Sequence, residues 1–202
     1  MKKIISSIAF LATILLSFNL HAQPGKFISV KGKEVIDPLG KPFLMRGTSL
    51  GNWLIPEGYM FKFKNVNSPR LINEAITELI GPDEARDFWE KYLHSYITEG
   101  DIHYLKSIGV NSIRIPFSYR MFTKEDYLGK NDPDRGFELM DRVVGWCKKE
   151  GIYVVLDMHS APGGQTGDNI DDGYGYPFLF KSEVSKKLTA DIWRRIADHY
   201  KN

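Results

Sequence analysis

One stretch limits the fold more than any other: residues 152–165, where Ile152, Val154 and Val155 lead through Asp157 and His159 into Ser160-Ala161-Pro162-Gly163-Gly164-Gln165. A β-branched run of this length is consistent with a strand buried on both faces, and Pro and Gly stop it abruptly. Strands buried on both faces belong to parallel sheets covered by helices. Polar groups therefore gather at the C-terminal edge of such a strand, just where a loop begins. Two similar edges lie upstream, at Ile113-Arg114-Ile115-Pro116-Phe117-Ser118-Tyr119 and at Arg46-Gly47-Thr48-Ser49-Leu50-Gly51-Asn52-Trp53.

The segments between these edges read as helices. Ser68-Pro69 supplies a cap and first-turn residue, and Gly81-Pro82 closes that helix. A second helical pattern runs over 83–96. Thr98 with Asp101 opens a third, bearing Ile102, Leu105 and Ile108 on one face and stopped by Gly109. The expected order then becomes strand 110–117, a loop to about 136, helix 137–150, strand 152–159, and a Gly/Asp-rich loop over 160–177. A last helix carries Val184, Leu188, Ile192 and Ile196 at fourfold spacing. Such alternation predicts a parallel sheet with helices outside, an α/β fold. Ahead of it, Phe27-Ile28-Ser29-Val30 and Pro42-Phe43-Leu44-Met45 flank Gly and Asp-Pro punctuation and read as a hairpin.

Residues 1–22 have the layout of a cleaved secretory signal. Lys2 and Lys3 precede an apolar run over 4–20, and His21-Ala22 offers a small residue for cleavage. Ser6, Ser7, Ser17 and Asn19 interrupt the run and weigh against a membrane anchor. The expected location is therefore secreted or periplasmic, with no membrane attachment after cleavage. Residues 23–202 suffice for one domain but are short for a complete (β/α)8 barrel, which takes about 250 residues. A formal net charge of +2 gives no electrostatic case for nucleic acid. The lone Cys147 has no intramolecular disulfide partner and falls on an apolar helical spacing with Phe137, Met140 and Val144, so it reads as buried filler.

Several polar side chains invite a chemical reading. Arg114 interrupts an apolar strand, and a guanidinium there needs a carboxylate or several acceptors, either in a structural salt bridge or in a site. His159 ends its strand, as a hydrogen-bonded structural residue or as a site residue. Asp157 and His159 are two apart and so face the same way, but no further His, Asp or Cys completes a metal shell around them. Glu57 reads either as an exposed loop residue or as a ligand-gripping one. Gln165, Asp168, Asn169, Asp171, Asp172, Tyr174 and Tyr176 mix hydrogen-bonding groups with aromatic faces, which suits carbohydrate as well as a solvated turn. The glycines of this loop match no phosphate or dinucleotide pattern.

Taken together, the three strand-end blocks resemble the first strands of glycoside hydrolase family 5, in particular its β-glucanase branch. The resemblance runs over residues 26–202. It implies a (β/α)8 TIM barrel, of which about the first three βα units are present, in an exported retaining hydrolase of β-glucans, endo- or exo-acting. No metal or organic cofactor is implied. Arg114, in its Ile-Arg-Ile-Pro setting, is implied to orient the nucleophilic glutamate. His159, in a His-x-Ala-Pro-Gly setting, is implied to bind sugar at subsite −1, with Asp157 supporting it. Glu57 sits where the exo-1,3-glucanase branch has Gly-Gly-Trp-x-x-x-Glu-Pro, but Asn52 replaces the second glycine and Pro56 precedes the glutamate. Trp53, Tyr119 and Gln165 complete the expected substrate contacts. Residues 191–202 resemble the helix before strand four. The family's acid/base and nucleophile lie at the ends of strands four and seven, so both are expected beyond Asn202, and this chain is expected to be an inactive N-terminal part. Asn73-Glu74 resembles the acid/base motif Asn-Glu-Pro, but Ala75 follows and the pair falls in a helix. Two other readings stay open: an exported glycan-binding protein without catalysis, and a different α/β enzyme using Asp157 and His159 with a metal.

Overall fold

Caps and glycines cut the chain into elements, and the computed structural model describes them over residues 27–201. The expected signal segment, 1–22, lies outside the described residues. The chain divides into two compact units, one ending at Leu44 and one beginning at Met45. In the first, β1 (Ser29–Lys31) pairs antiparallel with β2 (Glu34–Ile36), Val30 opposite Val35. This corrects the expected hairpin. The turn is tighter, because Gly32 adopts φ +64° and reverses the chain within two residues. Pro42 forms only a single bridge, to Ile36.

The second unit holds a three-stranded parallel sheet in the order β3 (Gly47–Ser49), β4 (Ser112–Ser118), β5 (Tyr153–Ser160). Between β3 and β4 run α1 (Pro69–Ile80), α2 (Pro82–Ser95) and α3 (Glu99–Ser107). α4 (Arg135–Glu150) joins β4 to β5, and α5 (Glu183–Tyr200) follows β5. The caps are the expected ones. The Ser68 hydroxyl accepts the Leu71 N–H at 3.3 Å. Thr98 and Asp101 form a reciprocal capping box, worth about 1 kcal/mol. Gly151 ends α4 at φ +63°.

Parity along the strands divides the side chains into two sets. Ile113, Ile115 and Phe117 of β4 have no solvent exposure and join one apolar cluster with Leu93, Ile102, Leu139, Met140, Val143, Cys147, Ile192 and Ile196 from the helices. Phe117 anchors this face, its ring edge-on to Phe122 at 5.3 Å and to Trp193 at 5.8 Å. Gly136 is obligatory at the start of α4, since a Cβ there would lie 2.5 Å from the Phe122 ring. Arg114, Asp157 and His159 belong to the opposite face.

Pro116 sits in the middle strand, where a missing N–H normally breaks the ladder. The Leu50 N–H bonds to the Arg114 carbonyl at 2.9 Å, so the backbone of Arg114, and of Pro116 two residues on, points toward β3. β3 ends at Ser49, opposite Arg114, so Pro116 removes no bond from the ladder with β5.

Two helix faces differ from the expected ones. Ile108 is exposed, because six residues from Ile102 turn the helix about 240°, off the buried face. Val184 is exposed for the same reason: each four-residue step overshoots a turn by about 40°, placing Val184 about 120° from buried Ile196. Cys147 is fully buried as expected, and desolvation pushes its thiol up to about 11. The thiol therefore stays protonated and shielded at pH 8. A colorimetric thiol reagent at pH 8 should find no reactive group in the folded chain and one equivalent after denaturation in guanidinium.

Candidate active site

The geometry of the site follows from register. Ser49 lies opposite Arg114 on β3, while Pro116 lies opposite Asp157 on β5, so Ser49, Arg114 and Asp157 share one face of the sheet. The Arg114 guanidinium reaches both neighbours. Its Nη1 donates to the Ser49 hydroxyl at 3.1 Å. Its Nη2 donates to Asp157 Oδ2 at 2.5 Å and lies 3.0 Å from His159 Nδ1. Asp157 Oδ2 is itself 3.1 Å from His159 Nδ1. The side chains of Arg114, Asp157 and His159 keep 40%, 32% and 33% of their accessible surface, so the trio is paired yet open to a ligand.

This triangle gives Nδ1 a partner in each of the three states of the imidazole. With Nδ1 unprotonated it accepts from Arg114, and Nε2 carries the proton outward. With Nδ1 protonated it donates to Asp157, and Nε2 is either a lone pair or, in the imidazolium, a second donor. In each case Nε2 is the end left for a ligand, since it has no hydrogen-bond partner among the described residues. The guanidinium occupies the space between the two candidate metal ligands and opposes a cation there. Among the described residues no group of three His, Cys, Asp or Glu is arranged to hold a metal.

The other expected contacts divide. Glu57 is buried at 6% exposure, not an exposed loop residue. Its backbone N–H donates to Asn52 Oδ1 at 2.9 Å, and its carboxylate lies near the Tyr59 phenol. Slight desolvation and then the Glu57 charge raise the Tyr59 phenol. Asn52 adopts φ +63°, a left-handed conformation that asparagine tolerates better than other non-glycine residues. That explains a side chain where the resemblance expects glycine, and the Asn52 amide then fixes Glu57. No hydrogen bond or ion pair joins Glu57 to the Arg114 trio.

Trp53 and Tyr119 are both buried. Trp53 is 1% exposed, with its indole N–H donating to the Leu93 carbonyl at 2.8 Å, so it offers no face to a sugar. Tyr119 is 7% exposed and donates to Glu125 Oε2 at 2.9 Å, under the Arg120 guanidinium. Gln165 points into its own loop, with both amide heteroatoms bonded to backbone. Asp172 is buried and paired with Arg120, while its Oδ1 accepts the Arg70 N–H at 3.1 Å. Tyr174 and Tyr176 remain exposed. Asn73 on α1 accepts the indole N–H of Trp89 on α2 at 2.7 Å, in keeping with a structural role. Sequence reasoning missed Ser49 and Arg120. Ser49 was detectable by pairing strand ends in register; Arg120 carried no pattern of its own.

The comparisons with known proteins decide the family. The model of the cellulase family (glycosyl hydrolase family 5) matches residues 72–202. The chain belongs to glycosyl hydrolase family 5. The matched stretch contains Arg114, Asp157 and His159, whereas Glu57 precedes it. A beta-xylosidase of Phanerodontia chrysosporium is 32% identical over 177 residues, covering 87% of this chain and 37% of the relative. A probable glucan 1,3-beta-glucosidase A of Neosartorya fischeri is 29% identical over 198 residues, covering 95% of this chain and 45% of the relative. The chain thus spans less than half the length of these curated relatives. The crystal structure of rutinosidase from Aspergillus niger superposes with a TM-score of 0.64 at 21% identity, over 77% of this chain and 44% of that one. The fold is that of a (β/α)8 barrel, and the described residues form three of its parallel strands.

Two carboxylates of this region should differ sharply on mutation. Asp172→Ala leaves a largely buried Arg120 with Glu125 as its one remaining carboxylate partner and should cost on the order of 2 kcal/mol in a urea melt, as for loss of a charge-assisted hydrogen bond. Asp157→Asn, at a half-open ion pair, should cost no more than about 1 kcal/mol.

Proposed function

We propose that this chain supplies the sugar-gripping side of a retaining β-glucan hydrolase that acts outside the cytoplasm after removal of residues 1–22. The reading covers endo- and exo-acting glucanases alike and needs no metal or cofactor. The observation that carries it is the Arg114–Asp157–His159 triangle at the C-terminal ends of parallel strands, where barrel enzymes gather their chemistry. A fixed, half-exposed set of donors and acceptors suits sugar hydroxyls, which both give and take hydrogen bonds. Glu57, with Tyr59 beside it, adds a second such group.

Retention requires a proton donor and a nucleophilic carboxylate about 5–5.5 Å apart. We place both outside residues 1–202. Among the acidic groups near the strand ends, Asp157 is paired with Arg114, Asp172 with Arg120, and Asp171 with its own loop. The exposed part of the Arg114 guanidinium would orient a nucleophile brought in from elsewhere in the barrel. For residues 1–202 taken alone, weak glycan binding without cleavage is the expected activity.

The test is reducing-sugar release from laminarin, lichenan and carboxymethylcellulose, with oligosaccharide binding followed in parallel. Residues 1–202 should release nothing. Binding should weaken at least about fivefold in His159→Ala, as expected for loss of one net hydrogen bond. Cleavage by this chain that vanished in Glu57→Gln or Asp157→Asn would place the catalytic pair here and overturn the assignment.

A further inference from the structure

The loop after β5 is built around one carboxylate. Asp171 is 2% exposed. Its Oδ2 accepts the N–H groups of Gln165 and Thr166, each at 2.8 Å, and the Thr166 hydroxyl at 2.9 Å. Its Oδ1 accepts the Gly173 N–H at 3.1 Å. All four partners donate, so only a side chain with acceptors on both oxygens satisfies them. An asparagine would turn its NH2 against an N–H. The chain closes tightly on this group: a Cβ on Gly173 would lie 2.7 Å from Asp171 Oδ1 and 2.5 Å from the Asp168 carbonyl.

Gln165, held by Asp171 through its backbone, works in the opposite direction with its side chain. Its Nε2 donates to the His159 carbonyl at 2.5 Å, and its Oε1 accepts the Ala161 N–H at 2.8 Å. His159 has particular need of such support. In the ladder Phe117 pairs with Met158, but Ser118 pairs with Ser160, so His159 is the residue the register skips. A bulged residue is not held by the ladder, and bulges re-aim side chains beside active sites.

We propose that Asp171 and Gln165 are positioning residues that replace the missing ladder contact and set the orientation of the His159 imidazole. Gln165 thereby acts through His159 and not on sugar directly. The consequence for glycan binding rests on the function proposed above; the positioning itself does not.

The experiment uses residues 1–202 with 15N-labelled histidine and reads the imidazole nitrogen shifts, which report tautomer and hydrogen bonding. Gln165→Ala and Asp171→Asn should move the His159 signals while those of the other four histidines stay in place. Lys181→Ala, an exposed change in the same loop, should move none. Should Asp171→Asn fail to fold, Gln165→Glu takes its place: it keeps the acceptor for Ala161 and loses the donor to His159, so it should perturb His159 as Gln165→Ala does. Unchanged His159 signals in a folded Gln165→Ala chain would overturn the proposal. In a second arm, laminari-oligosaccharide binding should weaken about fivefold in Gln165→Ala. A chain whose His159 signals moved while sugar binding held would keep the positioning role and remove sugar contact from His159. Absence of binding in the unmutated chain would sink the proposed function alone.

Discussion

A guanidinium on the middle strand of a parallel sheet has to be answered by acceptors, because an unpaired charge in that position is costly. Arg114 is answered from both sides, by the Ser49 hydroxyl on β3 and by Asp157 and His159 on β5. A slip of one residue in either pairing would carry the partner to the opposite face, among the helices. The same contacts that form the candidate site therefore specify how the three strands align. Apolar residues on the other face set the same register independently, since Ile113, Ile115 and Phe117 are buried only in this alignment. Packing and polar chemistry agree on one arrangement, as expected where a sequence specifies a single fold.

Much of this was legible in the residues. The β-branched runs, the Ser-Pro and Thr-x-x-Asp caps and the closing glycines gave β4, β5 and α1 to α4 to within two residues, but the second strand of the hairpin, expected over 42–45, lies at Glu34–Ile36. Parity gave the convergence of Asp157 and His159, and the cost of a lone charge gave Arg114 a partner. Helix phase was harder. A fourfold spacing resembles a face over two turns and drifts off it over four, which is why Val184 was misplaced.

Burial is the part of the site that the residues alone left open. Trp53, Tyr119 and Glu57 all sit beside strand ends, and adjacency in sequence cannot tell a side chain that lines a cleft from one that fills the wall behind it. Trp53 shows this most plainly, since its indole partner is the Leu93 carbonyl 40 residues away. The Asp-rich loop was ambiguous for a related reason. Its composition suits sugar, turns and solvent equally, and only the direction of each carboxylate separates Asp171, which organises its own loop, from Asp172, which ties the loop to Arg120 and the Arg70 N–H.

The hydrogen bonds of Asp171 and Gln165 join near neighbours, none more than 11 residues apart. The Arg114 triangle instead joins residues more than 40 apart. Closing a short loop costs little chain entropy and is fast, while long-range strand pairing comes later and more slowly. Loop-closure entropy therefore favours forming the local half of the site before the long-range half. The carboxylate-centred loop can take shape as a local unit, and His159 then enters the sheet with its carbonyl already held, so that docking β5 against β4 delivers the imidazole to Arg114 in one orientation.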